Sequence, residues 1–280
     1  MRFRGRAVVP GAGPFIFGVL NVTPDSFSDG GRFGSPADAV AAACRMADEG
    51  ADVIDVGGES TRPGSHSVPA DEQLRRTQPV VAELCRQFGP DGPVVSIDTR
   101  SAAVAEAALA AGAIVVNDVS ALRDDPRMAA LAARHGAGVV LMHMKGTSVD
   151  MQIDPTYIDV VREVRSFLAE RIDAAVAAGI GRERLIVDPG IGFGKTTAHN
   201  VELLRYAGTF RELGVPVLVG PSRKRFIADI TGAADIADRL AGTIAAVCAC
   251  VLAGVECVRV HDVAACRRAV DLCATLRGTT

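Results

Sequence analysis

The chain is 280 residues long, 49% hydrophobic and 22% charged, which excludes a disordered protein and supplies the apolar material for one large core. Lys and Arg number 30 against 33 Asp and Glu, a net charge of −3, which excludes a nucleic-acid binder held by bulk charge but allows a local basic cluster on a small anion. Seven scattered cysteines, and a basic stretch 1–6 with no apolar run behind it, predict a cytoplasmic protein without a secretory leader.

The first apolar run, FIFGVLN (15–21), leads through the loop NVTPDSFSDGG (21–31) into SPADAVAAACRMADEG. There Val40, Ala43, Cys44 and Ala47 mark one helical face. Ser35 is set to cap that helix, Pro36 to open it and Gly50 to close it. The same order of short apolar run, polar turn and helical pattern then recurs. ADVIDVGG (51–58) precedes a helix near 70–88, PVVSIDT (93–99) one near 101–111, and AIVVNDV (113–119) one near 125–135. GVVLMHM (138–144) precedes 156–178, LIVDPG (185–190) precedes 198–213, PVLVGPS (216–222) precedes 235–253, and VECVRVHD (255–262) precedes 263–276.

These runs are short, rich in Val and Ile and without strict alternation, as parallel strands covered on both faces are. Eight such units predict an α/β protein with a single (β/α)8, or TIM, barrel over 1–280, of which 1–14 form a short N-terminal extension. An open doubly wound sheet is the alternative, but no dinucleotide fingerprint follows the first strand. The apolar stretch 240–258 is interrupted by Glu256 and rich in Ala and Gly, so it reads as a buried helix running into a strand and no membrane span is expected. Cys248 and Cys250 read as packed thiols.

In such a barrel the active site lies at the C-terminal mouth of the strands. The strand ends contribute Asn21, GGESTRPG (57–64), Asp98, Asn117 with Asp118, His143, Asp188, Ser222 with Arg223 and Lys224, and Arg259 with His261. Arg259 and His261 fall on the same face of an extended strand, and the helix from about Val263 aims its N-terminus at the same point, which favours an anion. The alternative pairs Arg259 with a carboxylate inside the barrel and makes His261 a helix cap. Asp98, Asn117 and Asp188 suit the edge of a planar heterocycle, or separately a cap and a turn. Asn21 can offer an oxygen to Mg²⁺, and no zinc spacing is present. The loops 21–31 and 57–65, carrying Asp25, Asp29 and Arg62, are suited to closing over a reacting centre. DPGIGFGKTTAHN (188–200) echoes a P-loop at Gly194-Lys195-Thr196, but Pro189 stands where that motif opens with glycine.

Taken together, GVLNVTPDSFSDGG, ADVIDVGGESTRPG, VSIDT, VVNDVS, DPGIGFGK, GPSRKRF and VRVHDV resemble the dihydropteroate synthase family, in its order and spacing, from about residue 15 to the C-terminus. The resemblance implies an α/β barrel, a homodimer, Mg²⁺ dependence, and the substrates 7,8-dihydropterin-6-ylmethyl diphosphate and p-aminobenzoate. It implies Asn21 as metal ligand and Thr61 as a diphosphate contact. Asp98, Asn117, Asp188 and Lys224 would hold the pterin, and Arg259 and His261 the diphosphate. Thr61, Pro63, Phe193, Ser222 and Lys224 would form the p-aminobenzoate pocket, with Arg62, Met142 and Gly220 also touching substrate. The expected chemistry is a largely dissociative substitution in which Asp98, Asp188, Lys224, Arg259 and His261 act. A methyltetrahydrofolate-type methyltransferase barrel and an inactive paralogue are the alternatives.

Overall fold

Short β-branched runs form strands, and their period of two sorts side chains between the barrel interior and the helices outside. The computed structural model describes residues 1–22, 35–60 and 64–278. A hairpin of β1 (Arg2–Phe3) and β2 (Arg6–Ala7) precedes the barrel strands β3 (Phe15–Asn21), β4 (Val53–Gly57), β5 (Val94–Asp98) and β6 (Val115–Asp118). The remaining strands are β7 (Gly138–Met142), β8 (Leu185–Asp188), β9 (Leu218–Val219) and β10 (Cys257–Val260). They pair in parallel in the order β8-β7-β6-β5-β4-β3-β10-β9, and a parallel bridge between Val187 and Val217 joins the ends. That bridge closes the sheet into the expected TIM barrel and removes the doubly wound alternative.

The outer layer consists of α1 (Pro36–Asp48), α2 (Ala70–Phe88), α3 (Ala102–Ala110), α4 (Met128–His135), α5 (Val160–Ala177), α6 (Thr197–Arg205), α7 (Arg225–Thr231), α8 (Leu240–Leu252) and α9 (Val263–Arg277). Helix α1 starts as expected, with the Ser35 hydroxyl accepting from the Asp38 N–H at 3.3 Å and Pro36 in the first turn. Outward side chains such as Leu20, Ile54, Val56 and Ile97 join Val40, Ala43, Val80 and Leu84 of the helices in one buried cluster. Each large side chain so buried contributes about 1.5–3 kcal/mol relative to exposure. No helix among the described residues is long and apolar enough to cross a membrane, and 240–258 divides into α8 and β10 as expected.

Two elements differ from the expected pattern. The helix expected over 198–213 ends at Arg205 and continues as a 3-10 segment, Ala207–Leu213. There Gly208 presses so closely on α8 that a Cβ would lie 2.6 Å from the Ala253 carbonyl oxygen. The short helix α7 adds an element between β9 and α8 where only a connection was expected.

The barrel interior is layered. Its lower layer is apolar: Phe15, Phe17, Val53, Val115, Val140, Ile186, Leu218 and Cys257 pack together with Phe3 and Val8 of the N-terminal extension. Phe3 meets Phe15 and Phe17 edge to face at 5.5 and 5.6 Å, so the hairpin stoppers the N-terminal end of the barrel. Two residues further along, roughly 6–7 Å higher, the inward positions of five strands turn polar, as Asp55, Ser96, Asn117, Asp188 and Arg259, while Val19 and Met142 stay apolar.

Candidate active site

Inward parity places Asp98 on β5, Asn117 on β6, Met142 on β7, Asp188 on β8 and Arg259 on β10 around one open cavity at the C-terminal mouth. Gly220, Ser222, Lys224 and His261, just beyond β9 and β10, complete its wall, with Phe193 from the loop after β8. Ten of the expected substrate residues therefore share one cup. Thr61, Arg62 and Pro63 lie outside the described residues, as do Asp25 and Asp29.

Charge is concentrated there. Asp98 is buried, and burial pushes its carboxyl up to about 7; Arg259 opposes the rise, whereas Asp55, Asp118 and Glu59 add to it. Burial likewise raises Asp188, whose Oδ1 accepts from the Gly190 N–H at 2.7 Å. Its Oδ2 has no hydrogen-bond partner among the described residues. Lys224 is lowered by burial to about 7, with Asp188 opposing the fall. Its Nζ donates to the Ile191 carbonyl and sits 4.1 Å from the centroid of the Phe193 ring. Gly192, at φ +83°, makes room for that side chain, since a Cβ would lie 2.8 Å from Lys224 Cδ.

Arg259 pairs with carboxylates inside the barrel, as the alternative reading has it, and also faces the cup. Its Nε donates to Asp55 Oδ2 at 2.7 Å and its Nη2 to Asp98 Oδ2 at 2.8 Å, yet it lines the cavity. Burial works against its charge, but Asp55 and Asp98 outweigh that and keep the guanidinium protonated. His261 is not the cap of the last helix. The N-cap position of α9 is Asp262, which pairs with Arg223 through Nε and Oδ2 at 2.8 Å. Instead the Ser222 hydroxyl accepts the His261 backbone N–H at 3.2 Å and meets its Nδ1 at 3.0 Å. Asp98 is likewise no helix cap, since Ser101 holds that position on α3, and Asn117 belongs to β6 rather than a turn.

Asn21 ends β3 in register with Gly57, and a Cβ on Gly57 would lie 3.6 Å from Asn21 Oδ1 and 3.7 Å from Asp98 Oδ2. Asn21 Oδ1 and Asp98 Oδ2 therefore lie on the same side of Gly57. No three His, Cys, Asp or Glu side chains among the described residues gather as a metal cage. An amide oxygen at a strand end fits an ion that draws its other ligands from water and substrate.

Two features escaped sequence reasoning. Asp55, wholly buried in β4, lies inside its strand rather than at the end; its parity with Val53 and Gly57 marks it as inward-facing. Lys195 is also buried, with Nζ 2.9 Å from His143 Nδ1 and donating to the Phe193 carbonyl at 2.9 Å. Burial lowers it well below the usual lysine range and lowers His143 to about 2. The lysine thus pins the loop carrying Phe193, and its buried ammonium, committed to these partners, argues against the P-loop echo. The seven cysteines are all free, and burial pushes the Cys250 thiol up to about 12.

A closed barrel with a cup of carboxylates, an amide and cations at its C-terminal mouth defines an enzyme acting on a small polar molecule. The pterin binding enzyme family matches residues 17–261. A dihydropteroate synthase of Synechocystis sp. is 45% identical over 251 residues, 90% of this chain and 86% of the relative. The dihydropteroate synthase of Xanthomonas albilineans solved with 4-aminobenzoic acid superposes with a TM-score of 0.88 at 47% identity, covering 96% of this chain and 95% of that one. The same organism's enzyme in complex with 7,8-dihydropteroate gives 0.85 at 44% identity, covering 96% of both chains. The chain belongs to the pterin binding enzyme family, among its dihydropteroate synthases.

Proposed function

We propose that the cup joins 7,8-dihydropterin-6-ylmethyl diphosphate to p-aminobenzoate, giving 7,8-dihydropteroate and diphosphate. One observation carries the reading: Asp98, Asn117, Asp188 and Lys224 share one cavity with Arg259 and His261. A ring-reading edge beside an anion-holding pair is what such a substrate requires. The Xanthomonas enzyme's complexes with 4-aminobenzoic acid and with 7,8-dihydropteroate support the same pair of substrates.

The pterin lies flat with its donor edge on the Asp188 and Asp98 carboxylates and the Asn117 amide, while the Lys224 ammonium faces its acceptors. Arg259 and His261, with the N-terminus of α9 behind them, take the diphosphate. Asn21 would hold Mg²⁺, an ion that spreads the charge of a leaving diphosphate when bound. As the C–O bond opens, positive charge on the methylene enters the electron-rich ring. That charge favours the ionised forms of Asp98 and Asp188, so the two carboxylates stabilise the transition state more than the ground state. Phe193 and Lys224 then flank the aromatic amine, whose nitrogen attacks the methylene carbon and afterwards loses a proton. The bond to the leaving group breaks largely before the new one forms.

The enzyme works in the cytoplasm as a homodimer. Exposed Leu252 at the end of α8, with Leu272 and Leu276 one turn apart on α9, are apolar side chains that a second copy would cover. Incubating the purified protein with the pterin diphosphate, p-aminobenzoate and Mg²⁺ should release diphosphate and form dihydropteroate. Pterin binding without diphosphate release would overturn the assignment in favour of an inactive relative.

A further inference from the structure

We propose that Asp55 is the positioning residue of this site, an anchor that stays on the Arg259 guanidinium while Asp98 is exchanged for the diphosphate substrate. The proposal rests on the function assigned above. Asp55 is wholly buried and does not line the cavity, so it acts only through the residues it holds. Its Oδ2 accepts from two of them at once, Arg259 Nε at 2.7 Å and Asn117 Nδ2 at 2.8 Å. One oxygen thereby links the cation facing the diphosphate to the amide facing the ring.

The two carboxylates on Arg259 are not equivalent. Asp55 takes Nε from beneath the cavity floor, whereas Asp98 takes Nη2 from the cavity wall. An entering anion meets the Nη edge first and competes with Asp98. The Nε contact is out of its reach, so the guanidinium can change partners without losing its plane. Asn117 is fixed by the same oxygen: with Nδ2 committed to Asp55, the rest of the amide is presented to the ring in a set orientation.

Stability alone does not account for Asp55. Among the described residues its Oδ1 is buried without a hydrogen-bond partner, as is the Ser96 hydroxyl opposite it in register on β5. A half-satisfied carboxylate inside a barrel is costly, and well-packed apolar side chains commonly replace such groups without loss of stability. Holding Arg259 and Asn117 in one geometry is the return on that cost.

The first test uses the unaltered protein. The Arg259 side-chain Nε–H resonance, assigned against Arg259→Lys, is followed while inorganic diphosphate is added to saturation. The Nε–H should keep its protection from exchange while the Nη protons shift. Loss of Nε–H protection overturns the anchor, and so does a titration that moves no Arg259 resonance. The second test is kinetic. Asp55→Asn should raise KM for the pterin diphosphate about 10- to 100-fold and lower kcat, with KM for p-aminobenzoate changed less than about twofold. Equal rises in both KM values, or wild-type kinetics, overturn the proposal. In an Arg259→Lys background the effect of Asp55→Asn should shrink to under about threefold, because the two residues act as a unit; a fully multiplicative loss refutes that. A wild type that forms no dihydropteroate sinks the functional reading instead, and a variant that fails to fold leaves the resonance measurement to decide.

Discussion

Asp188→Asn separates binding from folding at the centre of the cup. In the wild type one carboxylate oxygen accepts the Gly190 N–H at 2.7 Å, and the other has no hydrogen-bond partner among the described residues. Asparagine keeps the first contact through its own Oδ1, so the turn after β8 survives. What changes is the second position, where an acceptor becomes an N–H donor facing the donor edge of the pterin. Losing a hydrogen bond to a charged acceptor costs about 1.5–3 kcal/mol, and leaving opposed donors unpaired adds about 1–3. The sum, about 2.5–6 kcal/mol, corresponds to a roughly 70- to 25,000-fold weaker Kd for the pterin diphosphate. Folding stability should change by less than about 1 kcal/mol, since burial already works against the Asp188 charge and removing that charge offsets the lost attraction to Lys224. Calorimetric titration of the pterin substrate without p-aminobenzoate, alongside thermal unfolding, reads both quantities. A Kd within about threefold of wild type in a folded variant would refute the assignment of Asp188 to the ring. A variant that does not fold would show instead that the carboxylate serves the turn.

Four further outcomes follow from the same geometry. Arg259→Ala should raise KM for the pterin diphosphate and cut kcat, and it should also lower stability by about 3 kcal/mol because Asp55 and Asp98 lose their shared cation; normal kinetics would remove Arg259 from the site. Gly192→Ala should cost about 1–2 kcal/mol of stability from its left-handed backbone and, by displacing the Lys224 side chain, weaken pterin binding more than p-aminobenzoate binding; parallel titrations of the two ligands decide. The pH profile of kcat/KM for the pterin substrate should be a narrow bell near neutrality. Asp98, raised to about 7, must be ionised and loses activity as pH falls, while Lys224, lowered to about 7, must be protonated and loses activity as pH rises. Lys224→Arg should remove the alkaline limb, and a flat wild-type profile between about pH 5 and 9 would contradict both assignments. Lys195→Met should reduce thermal stability, by stranding the Phe193 carbonyl, without creating or abolishing any nucleotide affinity; specific ATP binding to the wild type would reopen the P-loop reading.

The barrel itself was legible because its signals are local. Helix α2 spans the expected 70–88, and α1 carries its cap, its proline and its closing glycine at the expected residues. What failed depended on neighbours distant in sequence. The break between α6 and the 3-10 segment is imposed by the Ala253 carbonyl, and the burial of Phe3 by a hairpin that seals the barrel floor. Neither leaves a mark in the periodicity of its own segment.

The site divides in the same way, and the division has a physical basis. Groups that line the cup must reach the mouth, so they fall at or near strand ends, where a polar residue after an apolar run is conspicuous: Asp98, Asn117 and Asp188 all follow that rule. Groups that hold those residues must lie one layer deeper, inside the strand, where a single carboxylate among valines resembles an irregularity. Asp55 meets Arg259 across 204 residues of sequence and Asn117 across 62, and no local pattern encodes either pairing. Period-two parity, counted inward from the recognised ends, recovers it: on β4, Val53, Asp55 and Gly57 face inward, and an ionisable group in such a column needs a partner on another strand. Applied to β5, the same count gives Val94, Ser96 and Asp98, and Ser96 is again a buried polar group in the middle layer. The layer beneath the substrate is therefore where residues governing orientation are to be sought, and parity rather than strand termination is the feature that reveals them.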